Sequence, residues 1–122
     1  MKIEELVKNK DLKLTHARVE ILEKLFDANK PLSYDDIKND ISMDKATFYR
    51  NVAKFEEKMI VRSFESNDKK RYFEVSKIPH PHFICNQCNK IDCIKDSLNM
   101  NLAGYVIETI ILKGICKECN QI

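Results

Sequence analysis

At 122 residues the chain fits one ordinary domain or two small ones. It carries 21 Lys and Arg against 19 Asp and Glu, a net charge of +2; this excludes a globally basic nucleic-acid coat and leaves local patches, doubled by dimerisation, as the route to any nucleic acid. No apolar run approaches the roughly 18 residues of a membrane span, and MKIEELVKNKD has no signal-peptide run, so a cytoplasmic chain without a membrane partner is expected.

In chain order, KIEELVKNKDLKL suggests a short opening helix and a turn. In THARVEILEKLFDA, Val19, Ile21, Leu22, Leu25 and Phe26 follow a helical pattern, with Thr15 as N-cap and Pro31 beyond its end. Ser33 is expected to cap YDDIKNDI, whose Asp35 and Asp36 suit the positive end of the helix dipole. ISMDKATFYRNVAKFEEKM gives the next helix, starting near Ser42 or Asp44, with Phe48, Val52, Phe55 and Met59 on one inward face. Thr47, Tyr49, Arg50 and Lys54 lie largely off that face, as a helix-turn-helix recognition helix requires. IVRSFE and KKRYFEV bracket the turn residues SND and read as a hairpin. The sequence therefore predicts an α+β chain opening with a winged helix-turn-helix over residues 1–77. Lys69, Lys70 and Arg71 at the hairpin tip are placed for phosphates, a solvated loop being the alternative.

From Ile78 the texture changes. Pro79 and Pro81 interrupt a linker-like segment, HFIC begins a short strand, and YVIETIIL at 105–112 is another strand candidate between Gly104 and Gly114. All five cysteines fall in the last 38 residues, and in a reducing cytosol that crowding argues for metal before disulfide. Cys85-x2-Cys88 and Cys116-x2-Cys119, with 27 residues between the pairs, make two knuckles able to close a four-thiolate site, which suits structural Zn2+; iron held the same way is the rival. Such a site has no open position for a substrate, and it ties residues 78–122 into a small zinc-stapled α/β domain.

His80 and His82, two apart in an extended segment, point to one face, a usable ligand arrangement; two exposed loop histidines are the alternative. Glu74 and Cys93 could join them in a second, mixed site spanning wing and C-terminal domain. Cys93 has three readings: ligand, redox-responsive thiol or buried core residue. A zinc hydrolase built on the His pair and Glu74 is disfavoured, because so few residues cannot also build a pocket and a general base. No catalytic residue and no small-molecule substrate are therefore expected.

Taken together, LKLTHARVEIL, ATFYRNVAKF, RYFEV, PHPHFICNQC and GYVIETIILKGICKEC resemble, in order, the motifs of the ferric uptake regulator (Fur) family of metal-dependent transcriptional regulators. The resemblance implies a homodimer paired through the C-terminal domains, with two winged helices on palindromic double-stranded operator DNA, repression being the expected outcome. It implies base contact by Tyr49, phosphate contact by Arg50, and further DNA contacts by Lys13 and Arg18. It also implies a sensing metal (Zn2+, Fe2+ or Mn2+) at the acid of the wing, Glu74, and at His80 and His82. Departures from the pattern are informative. Pro31 stands at a histidine position and Cys93 at an acid position, while Pro79, Pro81 and Glu108 remove an accessory site. A thiolate in the remaining site favours zinc; a chain that no longer senses metal, and responds through thiol redox or is constitutive, is the alternative. Between the knuckles the chain is shorter than the family pattern by about nine residues, about two and a half helical turns. That leaves DSLNMNLAG where a dimerisation helix is usual, and shifts dimerisation toward strand pairing through YVIETIIL.

Overall fold

The structure, a computed structural model, describes residues 3–28, 30–75, 80–94 and 102–121. Contacts divide the chain into two units, Met1–Phe64 with Arg71–Ser76, and Glu65–Lys70 with Lys77–Ile122.

The first unit holds α1 (Ile3–Val7), α2 (His16–Ala28), β1 (Leu32–Ser33), α3 (Tyr34–Ile37), α4 (Lys45–Glu57) and the body of a hairpin, β2 (Val61–Glu65) and β3 (Arg71–Val75). Helix α2 starts where Thr15 Oγ1 accepts from the Arg18 N–H at 3.3 Å. Ser33 opens α3 with a full capping box: its hydroxyl accepts from the Asp36 N–H, and the Asp36 carboxylate accepts from the Ser33 N–H. Asp44 caps α4 by accepting from the Thr47 N–H at 2.8 Å. The helix ends at Glu57 and Met59 lies beyond it, left-handed at φ 61 and exposed rather than on the inward face expected for it, because the chain turns there. There the Met59 N–H reaches the Glu56 carbonyl and the Ile60 N–H the Phe55 carbonyl, the paired closure usually given to glycine.

These ends aim one apolar stripe of each helix at a shared core of Ile21, Leu22, Leu25, Ile37, Phe48, Val52, Phe55, Ile60, Val61, Phe73 and Val75. The sheet order is β1-β3-β2, with Leu32 opposite Phe73 and Ser33 opposite Tyr72. The two-residue strand β1 has no sequence signature of its own; it pairs because Pro31 ends the preceding segment and the Ser33 cap fixes its exit.

In the second unit β4 (His82–Cys85) is central, with β5 (Ile91–Cys93) antiparallel on one side and β6 (Ile111–Gly114) parallel on the other. The parallel register sets Cys85 opposite Gly114, so the knuckle after β4 and the knuckle after β6 emerge at the same end of the sheet. Gly114 permits the approach: a Cβ there would lie 3.3 Å from Phe83 Cζ. The strand expected over 105–112 forms only from Ile111; just before it, the Ile110 carbonyl accepts from the His82 N–H at 3.0 Å. Register decides this: β4 spans His82–Cys85 and its four positions are matched by Ile111–Gly114. Pro79 and most of DSLNMNLAG lie outside the described residues.

The hairpin turn, Glu65–Lys70, groups with this second unit, where Asn67 Nδ2 donates to Asn86 Oδ1 at 3.0 Å.

Candidate metal centres and nucleic-acid face

Cys85, Cys88, Cys116 and Cys119 converge, their sulfurs all within 4.8 Å of one another, and none of the five cysteines forms a disulfide. Cys88 Sγ and Cys116 Sγ are 3.8 Å apart, far beyond a sulfur–sulfur bond. Four sulfurs about 2.3 Å from a tetrahedral zinc would be separated by about 3.8 Å, so the spacing fits a shared ion.

The backbone prepares the site for thiolate. N–H groups of Gln87, Cys88 and Cys116 donate to Cys85 Sγ at 3.3, 3.4 and 3.4 Å. Those donors, Cys116 first, pull the Cys85 thiol down to about 6. Hydrogen bonding with Cys116, then burial, pushes Cys119 up to about 12. Crowded thiols cannot all ionise beside one another unaided, and a divalent cation at their centre removes the conflict.

Lys90 joins the knuckles from outside. Its Nζ lies 3.3 Å from Glu118 Oε1 and 3.7 Å from Asp92 Oδ1, and its carbonyl accepts from the Cys85 N–H. The hydrogen bond to Glu118, with both carboxylate charges, raises its pKa. No sequence signal marks Lys90, because its main partner is 28 residues away.

A second cluster is formed by His80, His82 and Cys93, whose donor atoms also lie within 4.8 Å of one another. The β4–β5 register sets His82 directly opposite Cys93, and the His80 and His82 rings are 4.6 Å apart. His82 is only 2% exposed, while His80 and Cys93 are half-buried. Two imidazoles and a thiol make a three-ligand set for a borderline-soft ion. Glu74 is half-buried on β3, in the first unit.

On α4, Arg50 Nη2 donates to Thr47 Oγ1 at 3.1 Å, which sets the guanidinium along the helix surface. Tyr49 is 37% exposed, its ring set against Phe48, Phe73 and Tyr34 at centroid distances of 5.3, 6.1 and 5.9 Å. Arg18 is engaged inside the unit: Nε donates to Asn51 Oδ1 and Nη1 to the Lys13 carbonyl, both at 2.9 Å. It thereby ties α2, α4 and the Lys13 segment together. Arg71 leans back along its hairpin, Nε donating to Ser63 Oγ at 3.0 Å; Lys69 and Lys70 are exposed on the turn. Sequence reading passed over Lys45 and Tyr34, although Lys45 stands four residues before Tyr49, one helical turn away.

A family model described as "Ferric uptake regulator family" matches residues 9–109. The chain is 27% identical over 140 residues to a ferric uptake regulation protein of Campylobacter upsaliensis, covering 98% of this chain and 88% of that one. It is 29% identical over 124 residues to a peroxide-responsive repressor, PerR, of Staphylococcus aureus, covering 90% and 84%. The fold is shared with the Helicobacter pylori ferric uptake regulator, at a TM-score of 0.76 and 21% identity, covering 100% of this chain and 96% of that one. It is shared also with the Pseudomonas aeruginosa regulator solved with manganese, at a TM-score of 0.75, 21% identity, and 96% and 99% coverage. The relatives are regulators rather than enzymes. With the family model matched across most of its length, and with a four-cysteine cluster able to hold zinc, this chain belongs to the ferric uptake regulator family of metal-responsive, DNA-binding transcription regulators.

Proposed function

We propose that this protein is a homodimeric cytoplasmic repressor whose grip on double-stranded operator DNA depends on an ion at His80, His82 and Cys93, with Glu74 as a further ligand. Residues 1–77 bind DNA and residues 78–122 hold the structural zinc and the dimer contact. The observation that carries the reading is the convergence of the His80, His82 and Cys93 donor atoms within 4.8 Å. Two imidazoles and a thiolate favour Zn2+ over Mn2+ or Fe2+. The exchangeable ion is the signal to which affinity for the palindrome responds. Tyr49 and Thr47 face bases, and Arg50, Lys13, Arg18, Lys69, Lys70 and Arg71 form the basic surround. Dimerisation through the last strand is supported by β6 being an outer strand and by the exposure of Tyr105 and Val106, 74% and 85%, just before it. A closed four-thiolate site offers no position for substrate, and the protein is not an enzyme.

The test is operator affinity with and without added zinc, in the wild type and after His80→Ala and His82→Ala together. The reading expects a metal-dependent gain that the double change abolishes. A second reading, a regulator that has lost metal sensing, is favoured by Pro31 at a position where the family pattern has a histidine; it expects the same affinity in both proteins, with or without zinc.

A further inference from the structure

We infer that Lys45 is a base-reading residue of the recognition helix, held for the major-groove edge of a guanine by the rings of Tyr34 and Tyr49. Its Nζ lies 5.6 Å from the Tyr34 ring centroid and 5.9 Å from that of Tyr49, within the range where an aromatic face attracts a cation. The two rings are themselves 5.9 Å apart. Tyr34 is fixed by the capped start of α3, and Tyr49 by Phe48 and Phe73. An exposed lysine ordinarily loses much rotamer freedom on binding; here the rings have already restricted the ammonium.

Position and charge then select its target. Lys45 is the first residue of α4, and the N-terminal residues of a recognition helix are those that meet base edges. The usual reason for a phosphate at a helix start, its unsatisfied N–H groups, is reduced here because the Asp44 carboxylate already accepts from the Thr47 N–H. That carboxylate also repels a phosphate beside it. A cation next to an occupied cap fits the paired O6 and N7 acceptors of guanine better than a backbone oxygen. The inference rests on the DNA-binding function of the family and is independent of the His80, His82 and Cys93 site.

The experiment is enrichment of bound sequences from a random double-stranded DNA library by the zinc-loaded full chain, compared with Lys45→Met and Tyr34→Leu. Lys45→Met keeps the aliphatic stem on the rings and removes the charge, and zinc content and melting temperature check that each variant is folded. The expected result is a motif that loses its guanine at one position in each half-site, with discrimination there falling about tenfold or more, while its other positions persist. Tyr34→Leu weakens the same position to a smaller degree. An unchanged motif with Lys45→Met overturns the inference. So does an equal loss on motif and random DNA with a shallower salt dependence, which is the behaviour of a phosphate contact.

Discussion

The two units are held together by different physics. The first buries a continuous cluster of three phenylalanines and eight aliphatic side chains from helices and sheet. Among the described residues of the second, the buried apolar side chains beyond the cysteines reduce to Pro81 and Ile84. So small an apolar core cannot offset the entropy of ordering its strands. What closes that unit is the pair of knuckles at one end of a three-stranded sheet, with Lys90 bridging them. The lesson is that metal affinity in the second unit is folding free energy, whereas the first is held by its apolar core.

The sharpest break of the comparison is zinc removal. Cys85→Ser, or a chelator strong enough to strip four thiolates, forfeits a metal-binding free energy of about 10–16 kcal/mol. Amide hydrogen exchange on the full chain should then lose protection in β4, β5 and β6 while α2 and α4 keep theirs. The reverse break is Phe48→Ala, which empties a fully buried position and should cost the first unit about 3–5 kcal/mol. Chemical denaturation should register that loss while elemental analysis still finds the zinc.

Two smaller changes sharpen the contrast by touching the first unit alone. Met59→Gly relieves a left-handed residue that is 60% exposed and should raise the melting temperature by the equivalent of about 1 kcal/mol. Acid should act more weakly. The Thr47 side-chain and backbone hydrogen bonds hold Asp44 below its ordinary 3.8, and the Ser42 N–H holds Glu20 below 4.5. A carboxylate depressed in the folded state contributes stability that is fully present above the ordinary value and lost as pH falls through the folded one. The first unit should therefore begin to loosen only as pH falls below these ordinary values of 4.5 and 3.8, which an acid titration followed by exchange would record.

How much of this was legible in the sequence follows the range of the interactions. Ser33 announced its cap, because a cap acts across three residues and its chemistry is local; for α4 the same chemistry narrowed the start to Ser42 or Asp44, and the structure caps it with Asp44. The four-cysteine site was legible because each knuckle carries its own spacing and two pairs complete one tetrahedral set, and the fold brings the same four together. The wing was legible from two β-prone runs around SND. Strand β1 was not, since two residues cannot display a period, and its partner Phe73 is 41 positions away. The last strand was expected from its apolar run at 105–112 and instead starts at Ile111, because pairing with His82 fixes the register. Arg18 was read through the resemblance as a DNA contact; the structure adds its bonds to Asn51 and to the Lys13 carbonyl, partners that no local pattern reveals. Lys45 was passed over because its meaning lies in two rings, one of them on another helix.

Cys93 acting with His80 and His82 is what makes the second site a metal sensor, and cobalt reads that most directly. Titrating protein that carries one zinc per chain with Co2+ should produce, near one equivalent, a thiolate-to-cobalt charge-transfer band with the intensity of a single thiolate, and Cys93→Ala should remove it. No cobalt uptake beyond the first zinc, or a band indifferent to Cys93, would contradict the account.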